Sequence, residues 1–209
     1  LPEGVFILLI ARSITGTVGI FGNFYAVDNL LLSDAAMLNK MSPFFTLVFS
    51  CFLLKEKLKP LQIFAVCGAF AGAMLIIKPG FQFSSSTAAA AGFASGLGAG
   101  FAHCFIRKLS QKNCNGTVII AFFSAFSMAV SLPYIIFNFQ PMTVRQVILL
   151  LCAGVAATGG QFGITAAYFA APAREISIFD YSQIIFSASL GFFLFGQIPD
   201  ILSFTGYAV

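Results

Sequence analysis

Charge is what these 209 residues have least of: 9% are Asp, Glu, Lys or Arg, where a soluble domain carries about 25%. That scarcity excludes an ordinary water-facing domain, and the 59% of hydrophobic residues that stand in its place mark an integral membrane protein. Histidine occurs once. The five cysteines (Cys51, Cys67, Cys104, Cys114, Cys152) include none of the close pairs that metal or redox sites use, so they read as small packing residues. No metal and no cofactor are expected, and the lack of a nucleotide-binding phosphate loop excludes direct drive by ATP. Strand-like alternation is missing, which argues against a barrel of short amphipathic strands. The net charge of +4 lies in short clusters between apolar runs and forms no continuous patch. The expected partner is therefore the lipid bilayer and not nucleic acid.

What the chain has in quantity is apolar stretches of about 20 residues, long enough to cross the hydrocarbon core as helices. Cutting at charges and turn residues gives spans near 11–30, 34–54, 60–77, 86–106, 117–137, 146–171 and 176–196, with a last one starting near Ile201. The chain opens at Leu1 and stops at Val209 within an apolar run, so both ends read as truncations of a longer parent.

The connecting segments set orientation. One side collects Arg12, Lys55, Lys57, Lys59, Arg107, Lys108, Lys112 and Arg174; the other collects Lys78 and Arg145. Cytoplasmic segments carry the excess of Lys and Arg, so the Lys55 to Lys59 loop is expected in the cytoplasm of a multi-pass protein of the cell membrane.

Displacing the sequence by 141 positions lays the second span over the seventh: Phe45 on Phe186, Thr46 on Ser187, Phe52 on Phe193 and Leu53 on Leu194. The same shift puts Asp34 on Glu175 and Asn39 on Asp180. Spans five apart cross in opposite directions, which makes this an inverted repeat, the architecture of many secondary transporters. The expected fold is all-α: a multi-span helical bundle of two inverted repeats.

The run LLLSDAAMLNKMSPFFTLVFSCFLLKEKLKPLQIFAVCGAFAGAMLIIKPG (30–80) and the later AAYFAAPAREISIFDYSQIIFSASLGFFLFGQIPDILSFTGYAV (166–209) resemble the two halves of EamA-type proteins of the drug/metabolite transporter superfamily. The most specific elements are Ser33-Asp34-Ala35-Ala36, Pro43, Lys55-Glu56 and Lys78-Pro79-Gly80. Departures are Ile184 at the position of Pro43, and Gln197 at that of Glu56. The resemblance implies a ten-helix parent, of which residues 1–80 hold helices three to five of the first repeat and 81–209 the second repeat with its last helix cut short. It also implies a secondary transporter, not an enzyme, that moves a small molecule by alternating access. A non-transporting assembly subunit stays as the alternative, and a homodimer is left open.

Candidate site residues follow from polarity in apolar spans. Asn39, Ser42, Pro43, Thr46 and Ser50 form one helical stripe with Lys40 at its edge. Pro43 removes the amide that would bond the Asn39 carbonyl, leaving that oxygen for water, a side chain or cargo. An ammonium at a helix centre costs about 2.5–3.5 kcal/mol on insertion scales, so Lys40 either lines a pathway or snorkels to the interface. In the seventh span Asp180, bordered by Tyr181 and Gln183, is the candidate for coupling to protons. Asn23, Tyr25, Gln161 and Tyr168 are further hydrogen-bonding candidates for cargo. His103 reads as a packed or interfacial histidine, Glu56 as solvated or locally paired, and the Gly16, Gly19, Gly22, Gly68, Gly72, Gly92, Gly96 and Gly100 series as devices for close helix approach. Gln161 stands among Gly159, Gly160 and Gly163, on a cavity wall or at a helix contact.

Overall fold

The structure, a computed structural model, describes residues 4–80, 85–196, 203, 205 and 206. Among them nine α-helices and no strand occur: α1 Val5–Asn29, α2 Leu32–Asn39, α3 Ser42–Leu53, α4 Pro60–Ile77, α5 Ser86–Gln111, α6 Gly116–Phe137, α7 Val144–Ala170, α8 Ala173–Phe179 and α9 Ser182–Phe195. Pairing α2 with α3 and α8 with α9 gives seven helices long and apolar enough to cross a membrane. The expected last span near Ile201, and Gln197, lie largely or wholly outside the described residues.

Local chemistry sets the helix boundaries. Ser85 accepts from the Ala88 amide at 3.3 Å to open α5, and Asn115 accepts from the Thr117 amide at 2.8 Å to open α6. Thr143 and Gln146 form a capping box at the start of α7, and Pro60 occupies the first position of α4, where no amide is needed. Lys55, Lys78 and Asn113 adopt left-handed backbone in the connections.

The second and seventh spans are each interrupted, where the sequence predicts continuous helices. After Asn39 and after Phe179 the chain tightens through i to i−3 bonds, from the Met41 amide to the Leu38 carbonyl (3.3 Å) and from the Tyr181 amide to the Ile178 carbonyl (3.2 Å). The interruptions fall at Lys40-Met41 and Asp180-Tyr181, which the 141-residue displacement brings to within one residue of each other. Pro43 sits at the start of α3, past the first interruption, and no proline accompanies the second. The break is therefore a property of the repeat. The interruption lies upstream of Pro43, which falls in the first turn of α3.

α1 and α5 form the central pair. Their backbones meet closely enough that a Cβ on Gly98 would lie 2.7 Å from the Thr15 carbonyl oxygen, and one on Gly96 would lie 2.6 Å from that of Leu38 in α2. Gly68, Gly159, Gly160 and Gly163, by contrast, face no described atom within 4 Å, so those positions make none of the close contacts expected of them. Apolar clusters fill both ends of the central pair: Val5, Leu9, Ile106, Leu109 and Ile119 at one, Ala26, Leu30, Ala35, Leu38 and Ala88 at the other. Outward faces carry large apolar groups such as Phe52, Phe64 and Phe137, suited to lipid. The polar side chains are left in the middle.

Candidate functional site

A cavity of about 190 Å³ opens between α1, α5, α6 and α7, midway between the two apolar clusters. Its polar walls are Arg12 and Asn23 from α1, Asn39 from the end of α2, His103 from α5 and Gln161 from α7. Arg12 is 3% exposed, which corrects its expected place in a cytoplasmic connection. Helix α1 starts at Val5, six residues earlier than the predicted span, and carries Arg12 inward. Its Nη2 donates to Gln161 Oε1 at 3.1 Å, and its guanidinium lies 3.5 Å from the centroid of the Phe123 ring. A Cβ at position 16 would meet Nη1 at 2.8 Å, so Gly16 seats this side chain and is not merely a helix-contact glycine. Asn39 Nδ2 donates to Ser95 Oγ at 2.8 Å, tying the end of α2 to α5.

His103 forms the wall between this cavity and Asp180. Its Nδ1 is buried, lacks a hydrogen-bond partner and stands 3.6 Å from Asp180 Oδ2. Tyr168 stacks on the imidazole with ring centroids 5.0 Å apart, and its hydroxyl donates to the same Asp180 oxygen at 3.4 Å. The three residues come from α5, the α8–α9 interruption and α7. This arrangement of imidazole, carboxylate and phenol can hold and pass a proton beside the cavity. His103 is packed, as expected, and it also faces a carboxylate.

The two interruptions touch each other. Lys40 Nζ donates to Gln183 Oε1, and the Tyr181 hydroxyl donates to the Lys40 carbonyl at 3.0 Å. Lys40 and Tyr181 are partners under the 141-residue displacement, so this bond crosses between repeat mates. Lys40 is half-buried, and its ammonium is bonded to a residue 143 positions away in the sequence. Tyr25 lies elsewhere, 48% exposed on the outer side of α1.

The α7–α8 corner is held from both sides. Arg107 Nη1 donates to the carbonyls of Tyr168 (3.1 Å) and Phe169 (3.0 Å) at the end of α7. Glu56 accepts from the amides of Ala173 (3.2 Å) and Arg174 (3.1 Å), capping α8 with a carboxylate where the helix dipole favours one. Glu56 is thus a cap on the opposite repeat, not a solvated or locally paired acid.

Residues 1–78 match the model of the EamA-like transporter family. The chain is 32% identical over 201 residues to the pseudopaline exporter CntI of Pseudomonas aeruginosa, covering 95% of this chain and 70% of that protein. The chain belongs to the EamA-like transporter family. This transporter is also 24% identical to human solute carrier family 35 member G1, over 95% of the chain and 58% of the carrier. A crystal structure with 16% identity covers all of the chain and 85% of its own at a TM-score of 0.78, which supports the multi-span helical fold. The predicted drug/metabolite transporter resemblance and the integral, multi-pass membrane character therefore stand.

Proposed function

We propose that this EamA-like transporter is a secondary permease that carries a small metabolite through the central cavity by alternating access, without catalysing a reaction. The observation that carries the reading is a cavity with polar walls between two apolar plugs, reached by Asn39 at the first helix interruption and separated by His103 from Asp180 at the second. Broken helices at mid-membrane are where transporters of inverted-repeat design place cargo and coupling ions. Asn23 and Asn39 contact cargo from the cavity wall beside Gln161, while Lys40, Tyr181 and Gln183 do so from the crossing of the interruptions. Asp180, with His103 and Tyr168, is the coupling group. Residues 1–80 belong to the first repeat and 81–209 to the second.

The Lys55 to Lys59 loop faces the cytoplasm in this reading. Moving Arg12 into the membrane leaves seven basic residues on that side against two. Cysteine placed at Gln140, in a background without native cysteines, is labelled from outside and cysteine at Lys57 is not; the reverse pattern inverts the orientation.

Transport itself is tested by uptake and efflux in vesicles holding the complete parent protein, against amino acids, nucleosides, organic cations and organic anions. Saturable movement of at least one class is expected. Movement of none favours the assembly-subunit reading.

A further inference from the structure

The cavity contains a cation without an anion. Arg12 is buried within a membrane span, yet among the described residues its contacts are a neutral amide oxygen and an aromatic ring. Two of its three guanidinium nitrogens, Nε and Nη1, are buried without a hydrogen-bond acceptor. Membrane interiors tolerate charge where it pairs or lines a pathway, and among the described residues this side chain is in no salt bridge with a carboxylate. Asp180, behind His103, is already engaged, taking the Tyr168 hydroxyl and facing the imidazole.

The surroundings form a seat and not an accident of packing. Gly16 leaves room for the guanidinium where a Cβ would strike it, and Phe123 supports its face. Gln161 occupies one donor with a neutral oxygen. Nη2 shares one edge of the guanidinium plane with Nη1 and the other with Nε, both without an acceptor among the described residues, so a carboxylate that takes the place of the Gln161 oxygen at Nη2 has a second donor on either edge, the two-point geometry that arginine offers and lysine does not. Asn23 and Asn39, on the same wall, supply neutral polar groups for the rest of the molecule.

We propose that Arg12 is the anion seat of the cavity and that its ligands are small molecules bearing a carboxylate, with Gln161 as the internal group the carboxylate displaces. This rests on the transport reading for its biological meaning but not for its test.

The test is thermal unfolding of the complete parent protein in detergent, titrated at constant ionic strength with acetate, succinate and glutarate and with the matched acetamide, succinamide and glutaramide. At least one carboxylate raises the midpoint saturably and its amide does not. Arg12→Gln removes the difference; Arg12→Lys keeps it with half-saturation roughly tenfold higher, the size of one hydrogen bond to a charged group. Gln161→Leu, which deletes the competing oxygen, lowers half-saturation. A series in which no carboxylate outperforms its amide overturns the proposal, as does an Arg12→Gln variant with the full response. If Arg12→Gln does not fold, unchanged half-saturation in both Arg12→Lys and Gln161→Leu overturns it. Counterflow in vesicles separates the two readings: carboxylate binding without movement rejects transport and leaves the seat, while equal movement of acids and amides rejects the seat and leaves transport.

Discussion

The two interrupted spans have the same backbone and opposite chemistry. α2 and α3 part at Lys40-Met41, and α8 and α9 part at Asp180-Tyr181, within one residue of positions matched by the displacement of 141 residues. One interruption presents an ammonium, the other a carboxylate. The ammonium is bonded across the repeat to Gln183, while the carboxylate faces His103 and Tyr168 on α5 and α7. The two spans thus share where the helix breaks while their side chains diverge, and the proposed function divides them, with recognition at one break and a proton at the other.

That division can be broken from either side. The largest effect is expected at Asp180. Asp180→Asn retains a polar group for the Tyr168 hydroxyl but removes the titrating oxygen, and should abolish accumulation driven by a pH gradient while downhill exchange continues. Full pH-driven accumulation by the variant would leave the carboxylate without a coupling role.

A smaller effect is expected at the other break. Lys40→Met keeps length and loses charge and the bond to Gln183, and should weaken apparent affinity roughly tenfold with expression preserved. Arg at the same position should restore it only in part, because the donor geometry differs. Unchanged affinity for every transported solute in Lys40→Met would make the lysine a structural link between repeats only.

Glu56→Ala tests the support of the second break. Losing the cap on α8 should cost about 1 kcal/mol, seen as a fall of about 2–4 °C in the thermal midpoint of a chain this size. A midpoint equal to the parent's would show that the cap is dispensable.

The smallest effect belongs to Pro43→Ala. Because the second span breaks without a proline, the first should too, and stability should stay within about 0.5 kcal/mol. A larger loss, or cavity closure seen as lost labelling of a cysteine at Asn39, would show that the two breaks have different causes.

Much of this was legible in the sequence because it is periodic or local. Span positions follow from apolar length, and the repeat from matched residues at a fixed displacement. Lys40 and Asp180 stand out as charges in apolar runs. What escaped depends on partners distant in sequence. Arg12 reads as the basic edge of a span, and only contact with Gln161, 149 positions away, shows that it turns inward. His103 has no neighbour in its own helix that signals an acid, since Asp180 arrives from another. Glu56 sits among lysines that explain it locally, while its true partners are amides 117 and 118 residues on. The interruption itself was masked by Pro43, a residue familiar enough as a kink to draw attention away from the turn before it.

The corner at Pro172 has a mechanical consequence. Arg107 of α5 grips the last carbonyls of α7, and Glu56, just past α3, holds the first amides of α8, so each arm of the corner is fastened to a different element. α7 carries Gln161, and α8 leads to Asp180. A corner pinned on both arms is no free hinge: a movement that changes the separation of Gln161 and Asp180 has to break one of these fastenings or carry α5 or the end of α3 with it.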